Sequence, residues 1–254
     1  MDTLGYTGDV ITHVVFKSGG KQYRVNGDLF VLGANAIQSP AILLRSGIVH
    51  GETGLNLHEQ IGASVEVFLD GLASLNGSSI STGLNYCFYD GEFRRERAAT
   101  LTSFDNRWPY GLRTEPGKWH HLLPLTLVTE ELPSLENKVT VDDATGKAVI
   151  HHTGPSTYAK LGLQYALDNL DGLLEPLPVE AVHFREWRIT ESHVQGTLRM
   201  GKNGDGSVID HSLLHHRKRN LVVVGTSTFP SSSASNPSLT AAALSIRAAE
   251  LLFA

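Results

Sequence analysis

Residues 220–254 read NLVVVGTSTFPSSSASNPSLTAAALSIRAAELLFA, and the fold turns on how the three textures in this stretch join. Asn220–Gly225 is a short run rich in valine, the composition of a strand buried on both faces of a parallel sheet. A serine-rich loop follows, and Asn236-Pro237 stands directly before an apolar helix. Asparagine as N-cap and proline at the first helical position account for that threshold on local grounds alone. In the helix, Leu239, Ala242, Ala243, Ile246 and Ala249 fall on one stripe, with Arg247 and Glu250 off it. Such a stripe is the kind that faces a core. The stretch is therefore a strand–loop–helix unit.

A second unit of the same design lies near the start. VITHVVF (Val10–Phe16), the turn KSGGK (Lys17–Lys21) and QYRV (Gln22–Val25) predict a hairpin. DLFVLGA (Asp28–Ala34) reads as a buried strand leading into NAIQSPAILLRSG (Asn35–Gly47). There Ser39 suits a helix cap, Pro40 its first turn and Gly47 its end. Between the two units, residues 59–190 change character. SVEVFLDG (Ser64–Gly71), NYCFYDGEF (Asn85–Phe93) and HHLLPLTLVTEEL (His120–Leu132) are short alternating segments. NKVTVDDATGKAVIHH (Asn137–His152) predicts a hairpin turning at Asp142–Gly146, and a helix is expected over Tyr158–Leu174. The fold class is α+β, with a mostly antiparallel sheet (59–190) inserted between α/β pieces at 1–58 and 191–254.

Composition narrows the functional classes. The formal net charge of -5 argues against a nucleic-acid partner, whose phosphates call for a basic face. The basic run His215-His216-Arg217-Lys218-Arg219 reads as a solvated turn before a strand. Cys87 is the sole cysteine, so no internal disulfide forms and a cysteine zinc site is not expected. No run of apolar residues approaches the ~18 needed for a membrane span, and no charged segment precedes an apolar one as a signal peptide would. A cytoplasmic location is the expectation, and the sequon Asn76-Gly77-Ser78 reads as a chance match.

The histidines come partly in adjacent pairs, His120-His121, His151-His152 and His215-His216, which in strands point to opposite faces. HEQIG (His58–Gly62) lacks the second histidine of a zinc-binding HExxH. No metal site is expected, and no G-x-S-x-G elbow is present. The sharper feature is ESHVQGTLRMGKNGDGSVID (Glu191–Asp210), where His193 precedes a glycine-containing turn some forty residues ahead of the serine loop.

HVQGTLRMG, then SVID, then NLVVVGTSTFPSSSASNPSLTAAALSIRAAELL together resemble the C-terminal signature of the glucose–methanol–choline (GMC) family of flavin oxidoreductases. FVLGANAIQSPAILLRSGI (Phe30–Ile48) resembles the family's second signature, in the same order. GTSTFPSSSASNPSLT looks most similar to the branch of pyranose oxidases and sugar dehydrogenases. The resemblance implies FAD as cofactor and a sugar or other alcohol as substrate. It also implies that His193 and Asn236 face the flavin from the substrate side, with Gly225, Thr226, Asn236, Pro237, Ser238 and Leu239 against the cofactor. An imidazole accepts a hydroxyl proton near neutral pH and an amide does not. Of the pair, His193 is therefore the expected base and Asn236 the group that orients the substrate oxygen. The start of the last helix is expected to favour negative charge on the flavin.

One family feature is missing. Residues 1–254 contain no G-x-G-x-x-G turn of the kind that seats the FAD pyrophosphate at a helix N-terminus. The resemblance is thus to an incomplete FAD-binding domain carrying an inserted substrate-binding domain. The enzyme is split, processed or truncated, or a remnant that no longer catalyses, and the retained His193 and Asn236 favour a second polypeptide bearing the glycine-rich half as the expected partner. A non-catalytic stabilising subunit and a hydroxynitrile-lyase-like member of the same scaffold are the alternatives.

Overall fold

A computed structural model describes residues 2–73, 81–105 and 117–253; Asn76-Gly77-Ser78 lies outside them. The chain begins with β1 (Thr3–Thr7), β2 (Val10–Ser18) and β3 (Lys21–Asn26), which form an antiparallel sheet in the order β1-β2-β3. The expected hairpin is β2–β3, turning at Gly19-Gly20, where both residues have positive φ. β4 (Phe30–Leu32) follows and leads into α1 (Asn35–Arg45).

α1 starts earlier than its proline suggests. Asn35, at φ 63°, accepts the backbone N–H groups of Ile37 (2.9 Å) and Gln38 (3.0 Å), so it performs the capping role expected of Ser39. Pro40 then lies inside the helix and leaves the carbonyl four residues back without its usual donor. The hydroxyl of Thr197 donates to that carbonyl, on Ala36, at 2.7 Å. A distant side chain thus makes the internal proline tolerable. At the other end Gly47 has φ 67°, and the Gly47→Leu44 and Ile48→Leu43 backbone bonds close the helix in a Schellman arrangement.

The middle of the chain supplies β5 (Ile61–Leu69), β6 (Ser81–Asn85), β7 (Thr100–Asp105) and β8 (Leu122–Thr129). The hairpin β9 (Lys138–Val141) and β10 (Ala148–His151) comes next, then α2 (Thr157–Asp168), α3 (Leu170–Leu174) and β11 (Val179–Arg188). Five of these strands form one antiparallel sheet in the order β11-β5-β8-β7-β6. β5 is its buried spine: Ala63, Val65, Val67 and Leu69 pack on Ala159, Leu163, Ala166 and Leu170 of the helices. The helix expected over Tyr158–Leu174 is broken in two at Asn169, whose side-chain amide donates to the Tyr165 carbonyl at 2.8 Å.

The chain ends with β12 (Leu214–His215), β13 (Lys218–Val223) and α4 (Ser238–Phe253). β13 pairs in parallel with β4, joining Leu221 to Phe30 and Val223 to Leu32. This brings the two strand–loop–helix units side by side around a core of Ile11, Leu32, Leu43, Leu198, Leu221 and Val223. β4 is an edge strand, however. Val31 is 61% exposed, so the strand is covered on one face and not, as its composition suggested, on both.

α4 departs further from expectation. Leu244, Ala248 and Leu252 face the core, while Leu239 is 82% and Ile246 62% exposed, and Ala242, Ala243 and Ala249 are exposed with them. The apolar stripe lies on the open side. Nor is Asn236 the N-cap: the Pro237 carbonyl accepts the first helical bond, from Ala241 at 2.9 Å, which leaves Asn236 one residue outside the helix.

The basic run before β13 is likewise not a solvated turn. Lys218 is buried, its ammonium donating to the Gly8 carbonyl at 2.6 Å and sitting 3.5 Å above the Tyr6 ring. His215 is 2% exposed, and its Nδ1 accepts the N–H groups of Arg217 and Lys218. Burial first, and the neighbouring His50 and His216 next, hold its pKa down to about 4 from 6.5. The unfolded chain therefore takes up this proton before the folded one does. Stability is fully present above about pH 6.5 and falls as the pH drops towards 4, by about 3 kcal/mol in all. Urea unfolding at pH 7.5 and 4.5 should show that loss. His215→Asn, whose side-chain oxygen accepts the same backbone donors, should flatten it.

Candidate active site

The segment 190–200 carries His193 and is held from both sides. Along one edge His58 and Gln195 exchange backbone hydrogen bonds (3.2 and 2.9 Å), and Gly54 donates to Thr197 (2.8 Å). Along the other, Gly196, Leu198 and Met200 donate to Thr226, Ser227 and Thr228, and the Thr226 hydroxyl donates to the Val194 carbonyl at 2.8 Å. Gly196 is required at this seam: at φ 92°, a Cβ there would stand 2.4 Å from the Asn56 carbonyl oxygen and the His58 ring.

Two buried side chains set His193 in place. Glu59 gathers the turn, accepting the Thr190 hydroxyl (3.0 Å) and the backbone N–H groups of Glu191 (3.3 Å) and His193 (2.8 Å). Gln60, with no exposed surface, places its carbonyl oxygen 2.5 Å from the His193 Nδ1. Its amide nitrogen donates to the carbonyls of Ser233 (2.5 Å) and Ser235 (2.9 Å) in the serine loop. The Ser235 hydroxyl in turn donates to Tyr89 at 3.1 Å. Beside them Glu191 accepts from Arg188 at 2.8 Å. Burial outweighs that contact and raises the Glu191 pKa above the usual carboxylate range.

The serine loop and the start of α4 enclose a cavity of about 320 Å³, lined by Gln195, Met200, Phe229, Asn236, Pro237 and Leu244 among others. Gln195 is 1% exposed, and its buried amide nitrogen has no hydrogen-bond partner among the described residues. Gly225, at φ 93°, ends the β13 run and faces open space where a side chain would otherwise stand. At the helix start, Ser238 and Leu239 are exposed.

Of the residues singled out in the sequence, Asn236 and Pro237 therefore line the cavity. Gly225 and Thr226 are not among its lining residues, although Thr226 is bonded to the His193 segment at Gly196 and Val194, and Ser238 and Leu239 lie on the exposed helix start. His193 joins this group through Gln60 rather than by direct contact with the cavity. Glu59, Gln60 and Gln195 were not anticipated. The first two stand in HEQIG, the stretch weighed only as a failed zinc motif. Their signal was a pair of long polar side chains directly before a strand of buried residues. Among the described residues, no group of three or more His, Cys, Asp or Glu could hold a metal ion.

Comparison with known proteins points the same way. Residues 175–245 match the family model described as GMC oxidoreductase, in its C-terminal part. The fructose dehydrogenase large subunit of Gluconobacter japonicus is 27% identical in an alignment covering 95% of this chain and 50% of that protein. Paromamine 6'-oxidase of Streptomyces fradiae is 25% identical over 91% of this chain and 46% of its own. The chain thus spans about half the length of the curated relatives it matches. Among solved structures, pyridoxine 4-oxidase from Mesorbium loti superposes with a TM-score of 0.67 at 18% identity, covering 97% of this chain and 55% of that one. An R554A variant of Aspergillus oryzae formate oxidase gives 0.70 at 14% identity, covering 98% and 59%. The mixed fold, mostly antiparallel, is the one these oxidases share.

Proposed function

We propose, from the premise that this chain resembles the C-terminal half of the GMC oxidoreductases, that it is the substrate-binding and catalytic half of an FAD-dependent enzyme oxidising an alcohol group of a sugar, glycoside or polyol. The observation that carries the reading is the hydrogen-bonded bridge from His193 through Gln60 to the loop leading into Asn236. It joins the two polar groups that alcohol oxidation needs, a base and an orienting amide, across 40 residues of sequence.

Bound FAD supplies the acceptor for the hydride that leaves the alcohol carbon. The residues present suit it. The unobstructed backbone at Gly225 permits close approach, and the first turn of α4 presents free N–H groups with partial positive charge. His193 takes the hydroxyl proton on its imidazole, leaving the carbon–hydrogen bond electron-rich. Asn236 donates from its amide to the same oxygen and fixes its direction. Tyr89, tied to the loop by Ser235, brings the inserted sheet to the substrate side.

The names of the relatives favour a polyhydroxylated substrate, since they act on fructose and on aminoglycoside alcohols. The glycine-rich turn that grips the pyrophosphate is not among residues 1–254; the proposal has it supplied by a second polypeptide, in keeping with a relative that is named as the large subunit of its enzyme. Its natural seat is the exposed stripe of α4 together with the open edge of β4. With that partner present, anaerobic addition of sugars and polyols should bleach the flavin. Carbonyl release from a cyanohydrin without bleaching would instead favour lyase chemistry on this scaffold.

A further inference from the structure

Gln60 lies outside every motif that pointed to function, and it is the buried side chain that touches both halves of the site. A side-chain amide has two faces, and its environment decides which is which. Here the nitrogen faces two backbone carbonyls, those of Ser233 and Ser235, which only accept. Rotating the amide would set its oxygen against both carbonyls and lose two hydrogen bonds. The oxygen is therefore the atom that faces His193, and an amide oxygen only accepts. The Nδ1 of His193 must then carry the proton, which leaves Nε2 as the bare nitrogen of the neutral ring.

We propose that Gln60 is a positioning residue for the reaction inferred above: it fixes the tautomer of His193 so that Nε2 receives the substrate proton, and it locks that base to the loop carrying Asn236. The inference rests on His193 being the base. It adds the atom that works, and the reason why base and orienting amide keep one spacing. A neutral partner also differs in kind from a carboxylate, because it orients the ring without adding charge beside it. The other charged groups near the ring are the buried Glu59, which binds its backbone N–H, and Glu191, already paired with Arg188.

The test uses the flavin-loaded protein with its histidines labelled with nitrogen-15. The ring signals of His193 are identified by their loss in His193→Asn and read at a pH where the ring is neutral. Nδ1 should carry the proton and Nε2 should be bare. Gln60→Leu removes both arms of the bridge, so the tautomers should mix and kcat should fall about 10- to 100-fold, the range seen when the partner that orients a metal-bound histidine is removed, with a much smaller change in KM. Gln60→Glu keeps an acceptor for Nδ1 and should restore the tautomer while the serine loop stays loosened. A wild-type His193 protonated on Nε2 overturns the proposal, and this reading needs only the His193→Asn protein used for assignment to fold, not the Gln60 variants. So does a Gln60→Leu protein with unchanged tautomer and kcat. His193→Ala in the same assay separates the two levels: if it reduces flavin at the wild-type rate, the assignment of the base fails, whatever the ring signals show.

Discussion

Replacing His193 by alanine should slow the reduction of bound flavin by alcohol about 100- to 10,000-fold, the range lost when a general base is removed. The deficit should narrow as the pH rises, because the alcohol then gives up its proton more readily without help. The fold should survive. The cost is the buried oxygen of Gln60, which loses its donor, about 1 to 3 kcal/mol, and water can enter beside the half-buried position 193 to relieve it. Stopped-flow reduction under anaerobic conditions measures the rate, and a wild-type rate would mean that another group takes the proton. Asn236 offers a contrast in the same assay. Asn236→Asp places a carboxylate where reduction adds negative charge to the flavin, and it should lower both rate and potential. Asn236→His, which keeps a donor there, should be the milder change.

The second large effect concerns the open side of α4. Ile246 is 62% exposed, so Ile246→Glu should leave the unfolding of the chain by itself nearly unchanged. If the stripe of Leu239, Ala242, Ala243 and Ile246 seats the polypeptide with the glycine-rich turn, the same substitution buries an unpaired carboxylate at the contact. A loss of 2 kcal/mol or more is typical of a central interface position, roughly a 30-fold weaker association. The flavin should be lost with it, since the backbone donors for the pyrophosphate come from the partner. Residues 1–254 by themselves should accordingly hold FAD weakly or not at all. Pull-down and flavin fluorescence on both forms decide the matter. Tight, stoichiometric FAD binding by the lone chain would overturn the two-part reading.

Local chemistry was legible where it is local. The β2–β3 hairpin, the β9–β10 hairpin and the β13 strand follow from alternation, glycine turns and a valine run, and each forms within a few residues of its signal. Several misreadings share one cause: a residue whose partner lies far away in sequence. Pro40 marked a helix start only because the hydroxyl of Thr197, 157 residues on, is invisible from Pro40 itself. The side on which α4 buries itself depends on Leu32, Leu43 and Leu198, not on its own stripe. In the candidate site, His193 and Asn236 were singled out through the family resemblance. Glu59 and Gln60 were missed because their partners stand more than 130 positions away, and polar residues at the head of a strand carry no periodicity to betray them. His215 and Lys218 hide in a basic run for the same reason, since each is buried by β1, β2 or His50 rather than by its neighbours.

The parallel pairing of β4 with β13 also governs the order in which the chain can fold. Phe30 and Leu221 must meet across about 190 intervening residues, and closing a flexible loop of that size costs on the order of 5 kcal/mol before any contact repays it. The inserted sheet shortens the search. Gly62 and Arg188 are partners in β5 and β11, so once those strands zip, the two ends of the insert are already neighbours. The loop left to close is then about a third as long, which lowers its entropic cost by about 1 kcal/mol. During synthesis β4 cannot pair with β13 until residue 223 has left the exit tunnel of the ribosome. The site around His193 and Asn236, which needs Gln60 and the loop after β13 together, cannot be complete before then.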